Sequence, residues 1–245
     1  MYEIEVFCIS LSSDNCHELK KYCSDVTSYG PGQVDSIKAY LEKEQIKQVT
    51  FLGKVSKTML VKRPKLEKTA IALLKEMKKL NDDAIMLKIV EQLENIGITI
   101  LDQTIFIKNL MVQKGVLTET APTDKQKADI DYGFKIAKQM GGLDIGQSVV
   151  MKDRMIMAIE AIEGTDRCIK RGGKLAKRKN AVVVKVSKPS QDKRFDIPAV
   201  GLRTIKTMKK YGANVLALES GETIIVNKDK MVDFANKNNI VIVAL

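Results

Sequence analysis

The chain has 245 residues, 44% of them hydrophobic, with 41 Lys and Arg against 30 Asp and Glu and a formal net charge of +11. That length and composition fit one large or two modest globular cores and exclude a disordered chain. No apolar run approaches bilayer-spanning length, and the acid-interrupted opening Met1-Tyr-Glu-Ile-Glu does not read as a signal peptide, so a cytoplasmic protein is expected.

The first half alternates strand and helix. Ile4–Ile9 reads as a short apolar strand, and Gln33–Glu44 as an amphipathic helix through Val34, Ile37, Ala39, Tyr40 and Leu41. Gln48–Leu52 is a strand closed by Gly53. Leu66–Leu80 is a helix, and Asp82 or Asp83 caps another over Ala84–Ile96, ended by Gly97. Ile98–Leu101 follows as a strand. This alternation implies a parallel sheet covered by helices, with ligands at the carboxyl ends of its strands. Gly53-Lys54-Val-Ser56 and Asp102-Gln103-Thr104 fall at such ends. The turn Ser28–Gln33 feeds a helix whose amides are placed to take a phosphate or nucleotide.

A break falls near 111–123, which divides the chain into domains 1–112 and 113–245. Thr123 caps a helix over Asp124–Met140, ended by Gly141-Gly142. Ser148–Met151 and Met155–Ile159 form a hairpin around Asp153-Arg154, and Ala181–Val186 is a further strand. Ile205–Tyr211 is a helix. Val215–Leu218 and Thr223–Val226 flank the turn Ser220-Gly221-Glu222. Lys228–Asn238 is helical and Ile240–Ala244 is the last strand. This half reads as a mixed α+β domain with its own core.

Cys8, Cys16, Cys23 and Cys168 show no C-x-x-C spacing, and His17 is the only histidine. Zinc, a disulfide framework and a Ser-His-Asp triad are all disfavoured. Charge is uneven. Residues 1–112 hold 16 cations and 15 acids, whereas 113–245 hold 25 and 15. Within 167–210 there are 15 cations and two acids, Asp192 and Asp196. Such a field attracts phosphates or an anionic surface. Two stretches concentrate it: Glu160-Ala-Ile-Glu-Gly-Thr-Asp166 running into Arg171-Gly172-Gly173, and Lys185 to Pro198. Their mixture of carboxylates, cations, Gly and Pro suits a site that holds a multiply charged anion and acts on it.

Those stretches, with Asp144-Ile-Gly-Gln147, Lys188-Pro189, Gln191-Asp192, Arg194-Phe-Asp196, Pro198, Gly201, Glu219-Ser-Gly221, Gly115-Val-Leu-Thr and Ala121-Pro122, resemble the UDP-2,3-diacylglucosamine pyrophosphatases of the LpxI type. Gly53-Lys-Val-Ser56, Asp82-Asp83 and Leu101-Asp102 match upstream. The resemblance implies an N-terminal Rossmann-like domain and a distinctive C-terminal domain. It also implies hydrolysis of UDP-2,3-diacylglucosamine to 2,3-diacylglucosamine 1-phosphate and UMP in lipid A biosynthesis, with Mg2+ or another divalent cation. Family members usually open with a strand of the type G-x-I-A-G-x-G-x-x-P, whereas this chain opens on what should be the second strand. The expected result is an incomplete first sheet with an exposed apolar edge and weakened recruitment of nucleotide or sugar there.

Pyrophosphate hydrolysis needs positioned phosphates, neutralised charge and an activated water. Asp192, Asp196, Lys188 and Arg194 are the expected catalytic set, and Asp192, Asp196 and Glu163 the expected metal ligands. Substrate contacts are expected from Gln191, Lys185, Thr165, Asp166, Arg171, Gly172, Gly173, Gln147, Asp144, Gly53 and Ser56. A diacyl substrate and the excess of cations in the second half imply peripheral association with the cytoplasmic face of the inner membrane; a homodimer stays open. The alternative is a catalytically impaired nucleotide-sugar or lipid-binding protein of the same fold. Nucleic acid is disfavoured, because the chain has no Trp, few aromatics and no binding motif.

Overall fold

A computed structural model of the chain describes residues 4–12, 16–53, 65–77 and 82–245. It separates into two compact units, Met1–Asp102 and Gln103–Leu245.

In the first unit β1 (Phe7–Ser10) and β2 (Asp25–Ser28) pair in parallel, Phe7 opposite Asp25. The short helix α1 (Cys16–Leu19) lies between them in sequence. Helix α2 (Val34–Lys43) buries Val34, Tyr40 and Leu41, and the Tyr40 hydroxyl donates to Asp25 at 2.6 Å. β3 (Gln48–Val49) and β4 (Thr99–Ile100) form a second parallel pair. Helices α3 (Lys68–Glu76) and α4 (Asp82–Glu94) complete the unit. Pairing is parallel, as the alternation implies, but among the described residues it stays in two separate two-stranded pieces. The strand β2 has no counterpart in the sequence reading, because Asp-Val-Thr-Ser carries a single aliphatic side chain. The first turns of α2 and α3 cap each other: Glu67 accepts the Ser36 N–H at 2.9 Å and Asp35 accepts the Thr69 N–H at 3.2 Å. The Gly30 N–H donates to Gln33 Oε1 at 2.8 Å. Two of the amides expected to receive a phosphate are thus already satisfied within the unit.

The second unit centres on a six-stranded sheet of order β5-β12-β10-β8-β6-β7. These are β5 (Gly115–Val116), β6 (Ser148–Lys152), β7 (Met155–Ile159), β8 (Ala181–Lys185), β10 (Ala213–Leu218) and β12 (Val241–Ala244). β8, β10 and β12 run parallel, with Lys185 opposite Leu218 and Leu218 opposite Ala244. β6 is antiparallel to β8, so Ser148 lies opposite Lys185.

Strand alternation sorts the core. Val182, Val184, Val215, Ala217 and Val243 face α5 (Asp124–Gly142) through Ile130, Phe134 and Ala137. Ala181, Val183, Leu216, Leu218 and Ile242 face the other side. There they meet Cys168, Ile169 and Ala176 in and just after α6 (Thr165–Leu175), Ile205 and Met208 of α7 (Leu202–Tyr211), and Met231 and Ala235 of α8 (Lys228–Asn236). Helix α5 starts as expected, with a reciprocal Thr123–Gln126 capping box. The β6–β7 turn also matches. Asp153 and Arg154 both take positive φ, 52° and 59°, the geometry of a two-residue hairpin turn. The buried Asp129 accepts both of their N–H groups.

Two features go beyond the sequence reading. That reading leaves the partner of Thr223–Val226 open: β11 (Ile224–Val226) pairs in parallel with β9 (Ala199–Gly201), outside the main sheet. Helix α6 has no counterpart in the reading either. Its inner face is made of Cys168, Ile169, Gly172 and Gly173, small residues whose helical period is hidden by the cations between them.

Candidate active site

The carboxyl ends of β8, β10 and β12 share one edge of the sheet, and sequence stretches rich in charge converge there. The antiparallel β6 begins at this edge with Ser148, and β7 ends there beside it, Ile159 opposite Val149. Gln147, Glu160 and the loop after Lys185 therefore come together although they lie far apart in sequence.

Lys185, the last residue of β8, is buried at 8% exposure. Its ammonium donates to the Ala199 carbonyl at 2.9 Å and to Thr165 Oγ1 at 3.3 Å. Thr165 opens α6 after Gly164, whose φ of 82° suits glycine. The Thr165 hydroxyl donates to Glu160 Oε1 at 3.0 Å. Glu160 Oε2 is buried with no hydrogen-bond partner among the described residues. Gly146 lets Glu160 approach, since a Cβ there would crowd Glu160 Cβ at 3.2 Å.

The loop after β8 is organised by Gln191. Its Oε1 accepts from Gln147 Nε2 at 3.0 Å, from the Lys188 N–H at 2.8 Å and from Ser187 Oγ at 3.3 Å. Its Nε2 donates to the Asp196 carbonyl and carboxylate. The Lys188 ammonium donates to Asp144 Oδ1 at 2.7 Å and lies 3.8 Å from Asp196 Oδ2. Asp192 accepts from Arg194 Nε at 3.1 Å and Nη2 at 2.8 Å, and also from the Arg194 N–H. The Arg194 guanidinium holds the Asp192 carboxyl below its ordinary range. The loop is anchored from below: Glu219, just past β10, accepts the Ser187 N–H at 2.7 Å and the Lys138 ammonium at 2.9 Å.

The remaining expected residues lie nearby in sequence but are engaged differently. Asp166 pairs with Arg203 at 2.8 Å and accepts from Thr204 Oγ1. Arg171 donates to Glu163 and to the Ile159 carbonyl, and this pairing lowers the Glu163 pKa and raises that of Arg171. Gly172 and Gly173 are buried on the inner face of α6. A Cβ would meet Val150 Cβ at 2.6 Å from the first and Tyr211 Cβ at 2.8 Å from the second, so packing alone requires their smallness. In the first unit Gly53 is exposed with φ 93°, and Ser56 lies outside the described residues. Lys138 and Ser148 are not singled out by the sequence, and Glu219 only as part of the resemblance, with no role. The available signal was position, since each lies beside or at the end of a strand that supplies the site.

Among the described residues no three His, Cys, Asp or Glu side chains gather to hold a metal ion. Asp192 and Glu163 are each taken up by an arginine, and Asp196 by Gln191. These carboxylates do not gather into a metal cage; Glu160 Oε2 is the buried oxygen of the site left without a hydrogen-bond partner among the described residues. Cys168 is no candidate nucleophile. Burial first, and the charge of Glu160 second, push its thiol up to about 12.

Fold and site define an α/β protein whose second unit collects ammonium, guanidinium, carboxylate and amide groups at the carboxyl edge of a mixed sheet. The LpxI C-terminal domain matches residues 113–243 and the LpxI N-terminal domain residues 2–110, and the chain belongs to the LpxI family. It is 29% identical over 217 residues, covering 84% of this chain and 77% of the relative, to the UDP-2,3-diacylglucosamine pyrophosphatase LpxI of Caulobacter vibrioides.

Proposed function

We propose that the protein hydrolyses the pyrophosphate bond of UDP-2,3-diacylglucosamine, giving 2,3-diacylglucosamine 1-phosphate and UMP in lipid A biosynthesis. Its membership of the family supports the reaction, and the loop Ser187–Asp196 is the observation that carries the site. That loop presents Lys188 and Arg194, each ion-paired with an aspartate and aimed by it. A guanidinium gripped along its Nε–Nη2 edge by one carboxylate is fixed in direction, which suits charge-assisted contact with phosphate oxygens. Asp192 is occupied by Arg194 and carries a lowered pKa, so it makes a poor proton acceptor and serves to position the guanidinium. Asp196, oriented by Gln191, is the carboxylate we assign to the attacking water. Lys185, bridged through Thr165 to Glu160, holds further phosphate charge at the start of α6. A divalent cation, magnesium by expectation, would be held by Glu160 together with the substrate's own phosphates and would neutralise phosphoryl charge.

The test uses the full chain and UDP-2,3-diacylglucosamine dispersed in detergent, with magnesium or with a chelator, reading UMP by chromatography. Release of UMP that the chelator stops is expected. Absence of release in every arm, with the lipid still bound, would leave the binding-protein reading instead.

A further inference from the structure

The outer surface of α6 and α7 takes no part in the phosphate-holding loop described above. In α6 the residues facing the sheet are Cys168, Ile169, Gly172 and Gly173. At about 100° per residue this puts Arg167, Lys170, Arg171 and Lys174 together on the opposite side. In α7 Thr204, Ile205 and Met208 face inward, which leaves Arg203, Lys206 and Lys210 outward. Both helices enter the same apolar cluster on the same side of the sheet and pack against each other. Their outer faces therefore point the same way.

The rows join at one end. Arg178, just past α6, and Lys210 of α7 both lie over the Tyr211 ring, 5.7 and 5.8 Å from its centre. Two acids at this face are paired, Glu163 with Arg171 and Asp166 with Arg203. Among the described residues no carboxylate pairs with Arg167, Lys170 or Lys174. Large aliphatic side chains stand at both ends of α6: Ile162 is 83% exposed and Leu175 is 62% exposed.

We propose that this face is a docking surface for an anionic lipid bilayer. Clustered cations flanked by exposed aliphatics are what a helix lying in the headgroup region presents, the cations to phosphates and the aliphatics to the acyl boundary. A nucleic acid would answer the charge and leave Ile162 and Leu175 in water. The proposal deepens the lipid-substrate reading and rests on it for the source of the bilayer, while its test does not depend on turnover.

Full-length protein is sedimented with vesicles of phosphatidylethanolamine and phosphatidylglycerol, or of phosphatidylcholine alone, at low and at physiological salt. Binding to the anionic vesicles, weakened by salt, is expected. Each cation near such a surface contributes roughly five-fold in affinity, so the triple variant Arg167→Glu, Lys170→Glu, Lys174→Glu should bind about 100-fold more weakly or worse. Ile162→Ser with Leu175→Ser should also weaken binding and flatten its dependence on lipid packing. Both variants should keep the wild-type circular dichroism and thermal midpoint, and their UMP release from detergent-dispersed substrate. Equal binding by the triple variant and the wild type overturns the proposal. So does failure of the wild type to bind anionic vesicles, or tighter binding to duplex nucleic acid than to vesicles at the same salt. Loss of vesicle binding in the triple variant, with no UMP release from any protein, would uphold the surface and remove the enzymatic reading alone.

Discussion

Among the described residues the first unit holds its strands as two parallel pairs of two to four residues, whereas the second sets six strands between two layers of helix. Among the described residues two apolar clusters are built from the second unit, whose central strands Val182–Val184 and Val215–Leu218 are fully buried. In the first unit, side chains such as Val34, Tyr40, Leu41 and Leu73 are buried but keep some exposure, and two helix starts are tied by reciprocal polar contacts. A group that must aim at a phosphoryl oxygen within a fraction of an ångström needs support that does not yield. The second unit supplies it: the charged loop hangs from Glu219, Lys138 and Gln191 above three parallel strand ends.

The sharpest way to break this contrast is at the aimed guanidinium. Asp192→Ala should lower kcat by about 10²–10³ with an unchanged thermal midpoint, because the pair is partly exposed and lies outside the core. Wild-type kcat in that variant would remove Asp192 from the site. A smaller effect is expected at the buried Asp129, whose carboxylate accepts the Asp153 and Arg154 N–H groups in the left-handed turn. Asp129→Ala should destabilise the second unit by about 1–3 kcal/mol, read from its denaturant midpoint. Hydrogen exchange should show amides of β8 and β10 opening faster in this variant, with β1 to β4 unaffected. Faster exchange confined to the first unit would contradict the separation.

The smallest effect concerns pH. The carboxyls of Asp192 and Glu163 are lowered from ordinary values of 3.8 and 4.5 by Arg194 and Arg171. A depressed carboxylate contributes stability that is present above its unfolded pKa and fades as pH falls through the folded one. The stability difference between wild type and Arg171→Gln should therefore be flat around neutral pH and shrink only below about pH 4.5. A difference that grows on raising the pH above neutrality would mean that another group controls it.

Much of this could be read from sequence, for identifiable reasons. Apolar runs such as Ala181–Val186 and Ile240–Ala244 declare themselves as buried strands, and Thr123 with Gln126 declares a helix start. The residues of the Lys185–Pro198 loop could be named because charge, Gly and Pro stand out against a valine strand. Their pairing could not. Asp192 and Asp196 read as two ligands for one cation, yet one clasps Arg194 and the other is held by Gln191. Which cation a carboxylate faces depends on χ angles and loop path, and neither has a periodicity. Helix α6 escaped because its buried face is made mostly of glycine and cysteine, and the partner of β11 stayed open because nearness in sequence does not decide which strand it joins.

The glycine pair of α6 has one more consequence. With Val150 beneath Gly172 and Tyr211 beside Gly173, the helix has a single seating depth, as a key has in a lock cut without play. A methyl group at either position would lift the whole rod, and Thr165 at its tip would rise away from Lys185 with it. The spacing between ammonium and hydroxyl at the strand end is thus gauged about two turns away, by two residues that carry no functional group at all.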